Sequence, residues 1–132
     1  MLRYMLDTNI CIYVMKNRSP ALRERFNSLA EQLCISAVTL GELLYGAEKS
    51  ARVAANLAQV EQFSGRLEVL PFAERAAFHH GQIRVELERA GQPAGAYDMM
   101  IGGHARSEGL VLVTNNRREF DRMSGLRVEN WE

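Results

Sequence analysis

Apolar residues fall in short continuous runs, and between the runs they recur every three or four positions. Residues 2–6 form a first short run, predicted as a strand, and residues 10–15 begin a helix that breaks at 17–20. Helical spacing returns over 21–31, with Leu22, Phe26, Leu29 and Ala30 on one side. A second strand is predicted at 33–35. Ser36 and Thr39 are both able to cap the helix that follows through Leu43, Leu44 and Ala47. Residues 51–63 keep the helical period through Ala54, Leu57, Val60 and Phe63. A third strand is predicted at 67–72 and a long helix at 74–90, with Ala77, Phe78, Gln82, Val85 and Leu87 near its inner face. That helix stops at Gly91, with Pro93 two residues on. A helix over 97–107 ends at Gly109, a strand follows at 110–114, and a last short strand is expected at 126–128.

Strands that are continuously apolar and separated by helices predict a parallel sheet covered on both faces. The expected class is α/β, a three-layer α/β/α sandwich with a mainly parallel central sheet. No repeat or long linker divides the chain, so residues 1–132 are expected to form a single domain. In open parallel sheets, ligands bind outside the carboxyl ends of the strands. The first run ends on a charge there, in the stretch RYMLDTNI, where Asp7 follows Tyr4, Met5 and Leu6.

Composition adds little that competes with this. Apolar runs such as 110–113 are too short to span a bilayer, and the first residues lack the apolar core of a secretory signal. A cytoplasmic protein with no membrane partner is expected. Cys11 and Cys34 sit among apolar neighbours and read as small buried hydrophobes. Sixteen basic and sixteen acidic residues cancel, so no whole-molecule field draws the chain to nucleic acid and any polyanion site must be local.

Aspartate is scarce: Asp7, Asp98 and Asp121, against thirteen glutamates. The second strand runs into Ser36 and Thr39, with Glu42 one turn later. Thr39-x-x-Glu42 is also the pattern of a capping box, so Glu42 is either a helix cap or part of a site. Asp98 opens a helix, where a carboxylate complements the macrodipole. Gly102 and Gly103 in the same helix cost about 1 kcal/mol each against alanine and imply close packing. His104 reads as a packed residue, and the adjacent His79 and His80 point to different faces. The strand at 110–114 delivers Thr114, Asn115 and Asn116, then Glu119 and Asp121. Carboxylates gathered at one cleft repel and take up protons unless a cation joins them. Mg²⁺ or Mn²⁺ suits an oxygen-rich site poor in Cys and His, and such a site hydrolyses phosphate esters.

The stretches LDTNI, ISAVTLGELLYGAEKS and AYDMMIGGHARSEGLVLVTNNRREF, in that order and at those separations, resemble the PIN-domain endoribonucleases, and within them the VapC toxins of bacterial toxin–antitoxin pairs. The resemblance covers nearly the whole chain. It implies an acidic cluster of Asp7, Glu42 and Asp98, with Asp7 and Asp98 as direct metal ligands. Many PIN domains carry an aspartate where this chain has Asn115 and Asn116, and Glu119, in preference to Asp121, is then the fourth acid. Thr8, Asn9 and Thr114 would orient ligands and waters, with Asn116 beside them. Arg117, Arg118 and Arg122 would hold RNA phosphates. The implied activity is Mg²⁺-dependent cleavage of structured RNA, tRNA above all, with Mn²⁺ able to substitute. The implied partners are a VapB-type antitoxin and a second copy of the chain, with operator DNA bound only by the toxin–antitoxin complex. The competing class is an α/β phosphatase or phosphotransfer domain, since those also place an aspartate after the first strand. The second acid that one such pattern wants two residues on is here Asn9.

Overall fold

The computed structural model describes all residues from Met1 to Glu132. Five strands form one sheet in the order β3-β2-β1-β4-β5: β1 (Tyr4–Leu6), β2 (Leu33–Ser36), β3 (Glu68–Leu70), β4 (Val111–Val113) and β5 (Val128–Glu129). Every neighbouring pair is parallel, with Tyr4 opposite Leu33 on one side and Val111 on the other. The helices are α1 (Thr8–Met15), α2 (Pro20–Ser28), α3 (Ala37–Glu48), α4 (Val53–Ser64), α5 (Glu74–Arg89), α6 (Ala96–Ser107) and the single turn α7 (Arg117–Phe120).

Alternation along the central strands divides the core in two. Leu6, Ile35 and Val113 join a cluster completed by Ile10, Val14, Leu22, Phe26, Leu43 and Phe63 from α1 to α4. Met5, Cys34 and Leu112 face the other way, into a cluster with Ile83 and Leu87 of α5 and Met99, Ile101 and Ala105 of α6. Each fully buried side chain of this size contributes about 1.5–3 kcal/mol. The three-layer α/β/α class expected from the runs is the architecture found, with an all-parallel sheet.

The chain steps from β1 outward through β2 to β3, then returns across the sheet to β4 on the other side of β1. The strand order therefore reverses at the β1/β4 junction, the position where sheets of this kind open a crevice at their carboxyl ends. Asp7 and Thr114 are the residues that leave β1 and β4 there.

Four expectations shift. The first helix starts at Thr8 and not at 10, because Asp7 caps it through a hydrogen bond from the Ile10 amide to Oδ1, 2.8 Å. The segment 21–31 divides into α2 and a separate 3-10 turn at Ala30–Gln32. Ser36, and not Thr39, caps α3: β2 runs through Ser36, its Oγ accepts from the Val38 amide at 3.1 Å, and Thr39 becomes the third helical residue. The inner face of α5 is built by Ala76, Ile83 and Leu87, whereas Ala77, Phe78, Gln82 and Val85 are exposed. Phe78 lies about 200° around the helix from Ala76. An aromatic at that position carried the period to the wrong side.

Candidate active site

Asp7 is 3% exposed and held from two directions. Besides the Ile10 amide, the Thr114 hydroxyl donates to Oδ2 at 2.5 Å, bridging the ends of β1 and β4. Thr114 Oγ1 in turn accepts from the Asn116 amide at 2.8 Å, and Asn116 Nδ2 donates to Glu119 Oε2 at 3.0 Å. Glu119 Oε1 accepts from the Gly95 amide, directly before α6. A continuous line of hydrogen bonds thus runs from Asp7 to the start of the helix that carries Asp98.

Burial pushes the Asp7 carboxyl up to about 6, against the pull of the Thr114 and Ile10 hydrogen bonds and with a further push from the charge of Glu42. Asp98 is pushed up to about 7, first by burial, then by sharing a proton with Glu119 and by the charges of Glu119, Asp7 and Glu42. Glu119 moves the other way. Burial alone would raise it, but hydrogen bonds from Gly95, Asp98 and Asn116, and the charge of Arg122, bring it below its ordinary value. Neither ion pair in the molecule, Arg84–Glu88 or Arg117–Asp121, neutralises these acids. The cleft therefore holds excess negative charge, part of it suppressed by protons.

Glu42 lies two turns into α3, beyond reach of a cap. Its Oε1 instead accepts from the Thr8 hydroxyl at 2.5 Å, and the buried Thr39 Oγ1 is 3.5 Å from that hydroxyl. The capping alternative for Glu42 thus gives way to a tether from α1.

The positions singled out in the sequence fall into two groups. Thr8, Thr114 and Asn116 contact the acids directly, and Arg118 and Arg122 line a cavity of about 310 Å³ together with Glu119. Asn9 is exposed on α1 and joins none of these hydrogen bonds. Arg117 pairs with Asp121 at 3.4 Å, away from the acids. The reading of His104 as a packed residue holds, but the partner it meets was not legible in the sequence. His104 on α6 is 1% exposed, and its Nδ1 lies 2.8 Å from Ser36 Oγ, joining the helix of Asp98 to the cap of the helix of Glu42. Sixty-eight residues separate that pair, and no local pattern signals it.

The donor set fits a hard cation held with few protein ligands. No three His, Cys, Asp or Glu side chains close around a single point. Asp7 and Asp98 supply two carboxylates, and Mg²⁺ is usually held by one or two, the remaining positions being water and substrate oxygen.

The PIN domain family matches residues 4–126. The tRNA(fMet)-specific endonuclease VapC of Shigella flexneri is 57% identical over 131 residues, covering 99% of both chains, and that of Salmonella typhimurium is 58% identical over the same span. A crystal structure of DNA-bound VapBC from Salmonella typhimurium contains a chain that superposes with a TM-score of 0.96 at 57% identity, covering both chains fully. The chain therefore belongs to the PIN domain family, whose nucleases depend on divalent metal. Within that family it is one of the VapC ribonucleases, and the phosphatase or phosphotransfer alternative is set aside. No helix is long and apolar enough to cross a membrane.

Proposed function

We propose that the protein is the toxin of a VapBC-type pair, an endoribonuclease that cleaves tRNA, tRNA(fMet) in particular, with Mg²⁺ as its metal. Its relatives' names carry the substrate class. The observation that supports the mechanism is the convergence of Asp7, Asp98, Glu42 and Glu119 on the crevice beside β1 and β4 with no ion pair to any of them. Mn²⁺ would replace Mg²⁺, since both take carboxylate and water oxygens.

In this reading Asp7 and Asp98 hold the ion. When bound, it supplies a water of lowered pKa and neutralises charge on the scissile phosphate. Thr114 and the Ile10 amide fix both oxygens of Asp7, so its carboxylate does not rotate as substrate enters. Glu119 accepts from the Gly95 amide and from Asn116 Nδ2 and so anchors the start of α6, which sets where Asp98 stands. Glu42, tethered by Thr8, is the acid best placed to orient or deprotonate the attacking water. Arg118 and Arg122 neutralise flanking phosphates. The chain acts as a homodimer. It is held inactive by a VapB-type antitoxin and contacts operator DNA only within that complex, as the DNA-bound VapBC assembly of Salmonella typhimurium suggests.

Incubation of the purified protein with tRNA(fMet) transcript and Mg²⁺ is expected to give one major cut. EDTA, Asp7→Asn or Asp98→Asn should each lower the rate more than about 100-fold. Full cleavage in EDTA would overturn the reading.

A further inference from the structure

Beyond the acids the cleft continues as a groove between α3 and α6, a cavity of about 950 Å³. Thr8 and Glu42 form its inner end, so it opens directly onto the acidic site. Tyr45 and Lys49 line one wall from α3, and Tyr97 and Met100 the other from α6. The two tyrosines are 65% and 58% exposed, and the Lys49 ammonium stands 4.8 Å from the Tyr45 ring centroid.

A second observation concerns Gly41, which also lines this groove. A glycine inside a helix costs stability relative to alanine. In α6 the chain recovers that cost, because a Cβ on Gly103 would lie 2.8 Å from the His80 backbone nitrogen. At Gly41 a Cβ would meet nothing within 4 Å. No contact within the chain uses this stretch of the wall, which leaves the groove open there.

We propose that this groove is a nucleobase subsite, in which an unpaired base next to the cleaved phosphodiester stacks against Tyr97 and Tyr45 while Lys49 meets the RNA backbone. The proposal rests on the ribonuclease reading above and extends it. Single-stranded RNA is recognised by stacking its exposed base faces on aromatic rings, which a duplex hides. Another of the acids, Glu119, lines the separate cavity of Arg118 and Arg122. A strand crossing Asp7 and Asp98 thus passes from phosphate-binding arginines to a base-binding pocket. Because the formal net charge is zero, affinity must come from such local contacts and not from a general field. The continuity of the groove with Glu42 and Thr8 favours substrate over a second copy of the chain as its occupant.

The test uses a labelled, mixed-sequence single-stranded RNA oligonucleotide and the Asp7→Asn protein, in which cleavage is silenced, in Mg²⁺. Tyr97→Ala and Tyr45→Ala in that background should each weaken binding roughly tenfold, while Tyr97→Phe retains it. Gly41→Ala should raise the melting temperature by about 3 °C yet weaken binding severalfold, a combination that a purely structural role does not give. An oligonucleotide of the same length with the bases removed should bind the parent roughly tenfold more weakly and no longer distinguish Tyr97→Ala. Three results would overturn the subsite: binding by both alanine variants as tight as the parent's, a Tyr97 effect that persists on the base-free backbone, or a loss that tracks conversion of dimer to monomer in sedimentation. Failure of the unsubstituted protein to cut any RNA in Mg²⁺ would instead refute the ribonuclease reading, and it leaves the binding comparison intact.

Discussion

Helices α3 and α6 both bring an acid to the cleft, Glu42 and Asp98, and both carry two interior glycines. In α6 a Cβ on Gly102 would collide with the Met123 sulfur, and one on Gly103 with the backbone of His79 and His80. Gly103 lets α6 lie directly on α5, and Gly102 makes room for Met123 and Leu126 beyond α7. In α3, Gly41 and Gly46 have nothing within 4 Å of a built Cβ. The acids differ as well: Asp98 shares a proton with Glu119, whereas Glu42 takes a hydroxyl from Thr8. One helix is fixed by the fold, and the other presents its surface outward. Glycine alone does not tell these uses apart.

The contrast is broken most forcefully at Gly103. Its Cβ would meet backbone atoms of α5 at 2.8 and 2.9 Å, which no rotamer change relieves. Gly103→Ala should cost about 3 kcal/mol from overpacking, partly offset by about 1 kcal/mol of helix propensity. The net loss should lower the melting temperature by roughly 8 °C, measured by circular dichroism, and cleavage should fall as α6 moves Asp98. An unchanged melting temperature would show that α5 and α6 are not in rigid contact.

Next in size is the difference between the two acids. The Asp98 carboxyl, raised from 3.8 to about 7, keeps its proton more readily in the folded chain than in the unfolded one. Its contribution to stability is therefore complete below about pH 4 and is lost as pH rises through 7. Asp98→Asn removes that loss. In EDTA at pH 8 the variant should be more stable than the parent by roughly 2 kcal/mol, a figure already reduced for partial solvent screening, and the gain should vanish at pH 4. Thermal melts at the two pH values give the result directly. An Asp98→Asn variant no more stable than the parent at pH 8 would erase the distinction between the helices.

What the sequence disclosed follows the same division. The strands were legible because a sheet buried on both faces demands continuous apolar runs, and β4 satisfies that demand over its full length and β2 up to Ser36. Asp7 stood out because a charge ended such a run at the place where parallel sheets bind ligands. The close packing of α6 was legible from Gly102 and Gly103. The outward face of α5 was not, since Phe78 and Val85 are apolar and exposed. Nor was the choice between Ser36 and Thr39 as cap, because both hydroxyls are competent. The decision lies in β2 extending to Ser36 and in Thr39 being buried within 3.5 Å of Thr8. The capping role of Asp7 was hidden behind its role as an acid, although one carboxylate serves both. The contacts of Thr39 with Thr8 and of Asp7 with Thr114 join residues 31 and 107 positions apart, and no local window contains them.

The finest discrimination comes from Gly46. It sits in the last turn of α3 and borders a second cavity of about 310 Å³, walled by Ile12, Leu43 and Val60. Helix propensity counts for less near a helix end, and the site is exposed, so Gly46→Ala should stabilise the protein by only about 0.5 kcal/mol. That corresponds to roughly 2 °C in a differential scanning experiment. The sign is the informative part, since an alanine in open space adds propensity and removes unfolded-state entropy without displacing an atom. A fall in melting temperature would mean that α3 is packed at Gly46 in solution, and the opposition between an outward-facing α3 and an inward-locked α6 would then fail at its smallest test.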